Sequence, residues 1–274
     1  MPFATLAESP LAGRPGPVRL FYRQYGRGFP LVFLHSGWGY QIYPFGKQID
    51  ALGRDFSILI PDRSGYGRSG RIDSLPADYH QRAAAETVAL LDALGISKAA
   101  LWGHSDGAVI ATLLGLAHPE RFLALVLEAT HYYRDKPVSS REFFQKMERN
   151  PESFGERVCA TLAADHGEDY WKQIISLTGS AWLQIAAEDR ATPDLYDGKL
   201  SQLRPPRIFL QGSRDPRTEP GELAGIEREL PGSLQVIEGG GHSPHSEDSV
   251  SSEVSRLAEK LLSQVPTGIK GLPL

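Results

Sequence analysis

Ser105 stands between two glycines, Gly103 and Gly107, in the stretch Leu101-Trp-Gly-His-Ser-Asp-Gly-Ala108. Just upstream is the β-rich run AALW (99–102), and just downstream the helix-forming run AVIATLLGLA (108–117). A hydroxyl held where a strand turns sharply into a helix sits on strained backbone among crowded neighbours. Glycine two positions to either side removes the β-carbons that would collide there. The result is an exposed nucleophile backed by a helix N-terminus, whose N–H groups, beginning with that of Asp106, point toward a neighbouring anion. Acyl transfer needs both parts, the nucleophile and fixed donors for the oxyanion. A glycine-rich structural turn would also satisfy G-x-S-x-G, so the setting between a buried strand and a helix is what points to chemistry.

Serine at neutral pH needs a base. Among eight histidines, position selects His242, in GGGHSPHSED, directly after the last expected strand and before the last helix. The glycines at 239–241 allow close backbone approach. His245, three residues on, is the rival. His80, His118, His131 and His166 fall in helical segments and read as surface or structural, and His104 as packed against the sheet. The base in turn needs a carboxylate to hold its tautomer. Asp215, in FLQGSRDP, follows a buried strand and completes the chain order Ser…Asp…His. A simple turn aspartate would look the same; Glu128, ending LVLE, is the fallback acid, with Asp62 behind it. The second oxyanion donor is expected from the corner His35-Ser-Gly-Trp-Gly39, as the N–H of Gly37 or Trp38 alongside that of Asp106, with His35 ordering the loop.

These residues must be brought together by elements far apart in the chain. Short apolar runs at 18–26, 31–36, 57–62, 98–104, 123–129, 207–213 and 233–239 read as strands. Those at 31–36, 57–62 and 123–129 are continuously apolar, as parallel strands buried on both faces are. Helical patterns at 43–53, 78–95, 106–120, 221–232 and 249–265 fall between or after them. Strand–helix alternation implies an α/β fold, a mostly parallel central sheet covered by helices on both faces. From His131 to Leu203 no strand is expected, only amphipathic helical runs. That stretch reads as a helical cap, residues 131–203, inserted into a core of residues 1–130 and 204–274. The terminal PTGIKGLPL (266–274) reads as a surface strap or loosely held end.

The composition is that of an ordinary globular chain: 274 residues, 41% hydrophobic, 23% charged, net charge −4. Scattered basic residues give no nucleic-acid footprint and no polybasic membrane patch. One cysteine, Cys159, excludes an internal disulfide and a cysteine-based metal cluster. The first residues lack a basic segment followed by an apolar one, so no secretory signal is expected and a cytoplasmic location follows by default. No apolar run reaches membrane-span length.

Taken together, the GHSDG elbow, the PLVFLHSGWG corner, the LIPDRSGYGRS segment, the GSRDP turn and the GGGHSPH loop resemble the α/β-hydrolase superfamily. The similarity is to its capped branch, with prolyl iminopeptidases, C–C bond hydrolases, epoxide hydrolases, haloalkane dehalogenases and valacyclovir-hydrolase-like esterases. The resemblance covers nearly the whole chain outside the cap. It implies a helix-covered sheet, a cap and a Ser-His-Asp triad, and it makes Asp62 and Arg63 of DRSGYGRS loop braces rather than catalytic groups. Two departures stand out. Ser36 occupies a position where the family corner usually has glycine. The nucleophile is serine, which argues against dehalogenase and epoxide-hydrolase chemistry, since those use a carboxylate nucleophile.

The expected reaction is hydrolysis of a small ester or related carbonyl substrate through an acyl-serine, without metal or organic cofactor. A C–C bond hydrolase or lactonase would use the same triad. So would a perhydrolase, and the fold also supports non-turnover receptors for small ligands. For the pocket, Trp38 is the favoured lining residue. Phe143, Phe144, Tyr170, Trp171 and Trp182 read mostly as packing within the cap. Asp106 has two readings, pairing with a substrate ammonium or capping the elbow helix.

Overall fold

The computed structural model describes residues 2–265, and the terminal segment 266–274 lies outside the described residues. Eight strands form one sheet: β1 (Phe3–Leu6), β2 (Val18–Gly26), β3 (Phe29–Leu34), β4 (Phe56–Pro61), β5 (Ala99–His104), β6 (Phe122–Glu128), β7 (Arg207–Gly212) and β8 (Leu234–Ile237). Their order is β1-β2-β4-β3-β5-β6-β7-β8. The pairs β1/β2 and β2/β4 are antiparallel, and all the others are parallel.

Every residue of β3, β4 and β5 is buried, which explains their continuous apolar sequences. Side chains still alternate between two cores. Phe29, Leu31 and Phe33 of β3, with Ala100 and Trp102 of β5, face one core, which α1 (Gly46–Leu52) and α8 (Ser251–Leu262) cover through Leu52, Val254, Ala258 and Leu262. Val32, Leu34 and Leu101 face the other, beneath α2 (Tyr79–Ala93) and α3 (Asp106–Ala117). Between β6 and β7 the chain makes α4 (Arg141–Arg149), α5 (Glu156–His166) and α6 (Trp171–Ala187), and α7 (Glu222–Glu229) links β7 to β8. Among the described residues no helix is long and apolar enough to cross a membrane.

Strand ends differ from the sequence reading by up to two residues. β3 stops at Leu34 because the chain then turns at Ser36–Gly39, where the Gly39 N–H closes on the Ser36 carbonyl. β8 ends at Ile237, ahead of Gly239, which turns the chain at φ 76°. One strand was not expected at all. β1 is four residues at the sheet edge, paired only with β2, too short for alternation to register.

The topology sets the site. β5, β6, β7 and β8 are parallel neighbours, so the loops leaving their C-terminal ends emerge side by side. Ser105, His131, Asp215 and His242 lie on those four loops in that order. Ligands bind along this edge in open α/β sheets.

Candidate active site

Ser105 joins β5 to α3 at φ 56°, ψ −119°, a backbone state rare for a residue with a side chain. Its neighbours show why both flanking residues are glycine. A β-carbon on Gly103 would fall 2.1 Å from the Gly107 carbonyl oxygen, and one on Gly107 would fall 2.0 Å from the Leu34 carbonyl oxygen. The Ser105 N–H is anchored to the Glu128 carbonyl at 2.9 Å, tying the turn to the neighbouring strand.

His242 Nε2 lies 3.1 Å from Ser105 Oγ, and its Nδ1 lies 3.0 Å from both carboxylate oxygens of Asp215. A carboxylate only accepts, so Nδ1 carries the proton and donates it. Nε2 is then free to accept from the serine hydroxyl. Asp215 also accepts from Gln211 Nε2 at 2.6 Å and from the Arg217 backbone N–H at 2.8 Å. Burial opposes its ionisation, but the adjacent His242 charge and these hydrogen bonds outweigh burial and hold the carboxyl below its ordinary range.

The loop after β3 supplies the remaining part. The His35 ring donates from Nδ1 to the Ser36 carbonyl at 2.7 Å and accepts the Arg63 N–H at Nε2, 3.3 Å away. The Arg63 guanidinium bonds the carbonyls of His35 and Ser36 at 2.6 and 3.0 Å. Burial, with the Arg63 charge, pushes His35 well below its usual range and keeps the ring neutral, as those roles require. Ser36, where the related corner has glycine, accepts the Trp38 N–H on its hydroxyl at 3.2 Å. The N–H groups of Gly37 and Asp106 have no such partner among the described residues.

The family model for the alpha/beta hydrolase fold matches residues 30–187, more than half of the chain. The chain belongs to the alpha/beta hydrolase fold family. Human serine hydrolase BPHL is 29% identical over 252 residues, spanning 89% of this chain and 83% of that protein. The 2-hydroxymuconate semialdehyde hydrolase of Pseudomonas sp. (strain CF600) is 36% identical over 128 residues, 44% of each chain. Among solved structures, a thermophilic esterase from Thermogutta terrifontis superposes with a TM-score of 0.71 at 21% identity, covering 96% of this chain and 99% of that one.

In this alpha/beta hydrolase the two residues held in reserve by the sequence reading, His245 and Glu128, pair with each other. Glu128 Oε1 accepts both the His245 backbone N–H and Nδ1–H at 2.8 Å, and Oε2 accepts the Trp102 indole N–H at 3.0 Å. Both members are completely buried, and His245 stacks on Phe45. His104 lies between the two pairs, its Nε2 2.9 Å from the His242 carbonyl and 3.0 Å from the Ser243 hydroxyl. Burial, then the neighbouring His245 charge, pushes its pKa down to about 3. Asp62, the last fallback, bonds Arg23 at 2.5 Å and the Arg68 N–H at 3.0 Å, braced away from Ser105.

His131 departs from its sequence assignment as a surface or structural residue. It is buried, and its Nε2 sits 3.5 Å from Ser105 Oγ, at the outer limit of a hydrogen bond. Its ring stacks on that of His242, and its Nδ1 has no partner among the described residues. The signal was available: His131 follows β6 by three residues, as Asp215 follows β7. The other histidines are structural or peripheral. His80 approaches Asp106 inside the fold, His118 is partly exposed at the end of α3, and His166 bridges the Trp38 carbonyl and the Gly67 N–H at 3.0 and 2.8 Å.

Ser105 opens into a cavity of about 110 Å³ whose walls include Gly37, Trp38, Phe143, Phe144 and Trp182. Tyr170 and Trp171 are buried elsewhere, with the Tyr170 hydroxyl bonded to Ile72. The Asp106 carboxylate is only 2% exposed. Tyr79 donates to one oxygen at 2.9 Å and the Trp182 indole to the other at 3.1 Å. Among the described residues no cluster of three or more histidine, cysteine or acidic side chains has a metal-holding arrangement.

Proposed function

We propose that the protein is a serine hydrolase acting on a small ester or related carbonyl substrate through an acyl-serine intermediate. The observation that carries this reading is the unbroken line from Asp215 through His242 to Ser105, at 3.0 and 3.1 Å. In the forward step His242 takes the hydroxyl proton as Ser105 Oγ attacks the carbonyl carbon. Asp215 stabilises the imidazolium that forms. The N–H groups of Gly37 and Asp106 receive the oxyanion; the Trp38 N–H, bonded to Ser36, is the weaker candidate. His242 then returns the proton to the leaving group, activates water, and the acyl-serine is hydrolysed.

Residues 131–203 act in this proposal as a cap on the core formed by 1–130 and 204–274. Its support is that α4 and α6 contribute Phe143, Phe144 and Trp182 to the cavity above Ser105. Trp38 shapes the substrate pocket from the opposite element. For Asp106, donors on both carboxylate oxygens favour a fixed anion at the start of α3 over recognition of a substrate ammonium.

The test is turnover of p-nitrophenyl acetate and butyrate, with fluorophosphonate labelling, in the native protein and in Ser105→Ala. Hydrolysis and labelling that both vanish in the variant are expected. A native protein that neither turns over these esters nor takes the label would overturn the reading. It would favour a ligand receptor on the same fold. C–C bond cleavage is the second reading, motivated by the 36% identity to the 2-hydroxymuconate semialdehyde hydrolase over 44% of the chain. A β-diketone panel separates the two.

A further inference from the structure

The cavity over Ser105 is lined by one carboxylate, Asp106, and one guanidinium, Arg217. They are in opposite condition. Asp106 is fully buried and both of its oxygens have donors. Arg217 lies half-buried with its guanidinium over the Phe143 ring, 3.3 Å from the centroid. Among the described residues its side chain makes a single long hydrogen bond, from Nη1 to the Ser139 carbonyl at 3.4 Å. No acidic group among the described residues lies within ion-pair distance of it. Asp215, two residues back, is already engaged by His242, Gln211 and the backbone N–H of Arg217 itself.

Withdrawing a cation from water is unfavourable, and here desolvation is the leading influence on the guanidinium, weakening its hold on the proton, with Tyr43 and the charge of the already engaged Asp215 opposing it only in part. Stacking on an aromatic face offsets part of this and fixes the plane of the group, leaving most of its donor edge unused. A planar, fixed, underused donor edge is matched by a carboxylate, which can accept two of its N–H groups at once.

We propose that Arg217 is a recognition group for the substrate, so that the hydrolase acts on molecules carrying a free carboxylate in addition to the bond it cleaves. This rests on the serine-hydrolase reading for the cleavage step but not for the binding step. The pairing orients the substrate from the same loop that carries Asp215, coupling the anchor to the catalytic acid through two peptide units.

Two measurements test it. The first compares kcat/KM for p-nitrophenyl butyrate with that for the p-nitrophenyl hemiesters of succinate, glutarate and adipate, in the native protein, Arg217→Lys and Arg217→Gln. A preference for one hemiester over butyrate is expected. It should fall about tenfold or more in Arg217→Gln, with Arg217→Lys intermediate, the scale of one charge-assisted hydrogen-bonded contact. The second measures binding of succinate, glutarate and adipate to Ser105→Ala by calorimetry, alone and combined with Arg217→Gln. Binding that weakens about tenfold or more on loss of Arg217 is expected. An unchanged hemiester preference in Arg217→Gln overturns the proposal, as does dicarboxylate binding that is absent or indifferent to residue 217. Should no ester be cleaved, the serine-hydrolase reading fails while calorimetry still decides the role of Arg217.

Discussion

Two carboxylate–imidazole pairs lie on either side of His104, built from the same chemical parts and differing at one atom. In Asp215–His242 the far ring nitrogen meets the Ser105 hydroxyl at 3.1 Å. In Glu128–His245 it meets the Tyr43 carbonyl at 3.2 Å. A hydroxyl can give up a proton and a carbonyl cannot, so the first ring can accept at that end and the second can only donate. Solvent reach differs too: the His242 side chain is 16% exposed and that of His245 is not exposed at all. Buried carboxylate–histidine pairing is therefore not itself the mark of a catalytic base. The group presented to the second nitrogen decides, together with room for a substrate beside it.

The comparison can be broken most severely at the member proposed to be catalytic. His242→Ala is expected to lower kcat by a factor on the order of 10⁴ to 10⁶ with little loss of folding stability, measured by ester turnover and urea unfolding. Asp215→Asn should retain the shape of the site but hold the wrong tautomer, lowering kcat by about 10⁴. Glu128→Gln should reverse the pattern. Breaking a sealed pair is expected to destabilise the fold by about 3–5 kcal/mol in urea unfolding while kcat of the remaining folded protein changes by less than about tenfold. A Glu128→Gln protein as inactive as Asp215→Asn, yet fully folded, would make the second pair catalytic. His131 sharpens the contrast from a third side, since it faces the same hydroxyl with no carboxylate on its other nitrogen. His131→Gln should therefore lower kcat by about tenfold or less, far short of His242→Ala.

The last expected effect is on acid stability. The His104 pKa is about 3 in the folded protein, whereas an unfolded histidine titrates near 6.5. Between those values His104 carries a proton in the unfolded chain and none in the native one, so its contribution makes stability rise with pH across this window. It is lost as pH falls from about 6.5 toward 3. His104→Asn should remove up to about 1.4 kcal/mol per pH unit from that slope, read from unfolding free energies between pH 4.5 and 6.5.

Much of this arrangement was legible in the sequence because it is encoded in short, position-specific turns. Gly103 and Gly107 announce the elbow around Ser105, and the strand-end rule places Asp215 and His242 at the same edge. What pairs with what was not legible. His245 and Glu128 look like substitutes for the site residues, and only the folded arrangement, in which Glu128 accepts from both the backbone and the ring of His245, shows that they are partners of each other. His131 was passed over because the helical character of the following segment was extended back onto it, although it belongs to the β6 exit. β1 was silent because four residues carry too little pattern. The Arg217 side chain gives no local signal, since the lack of an acidic group within ion-pair distance among the described residues is a property of the packed surroundings.

The bridge made by His166 constrains how a substrate can reach Ser105. Sitting at the end of α5, this ring grips the Trp38 carbonyl on one side and the Gly67 amide on the other. Swinging α5 outward as a rigid door would drag on the Trp38–Gly39 peptide, one residue beyond Gly37, disturbing the donor corner as the entrance widened. An entrance that leaves the corner intact must therefore open elsewhere than at α5.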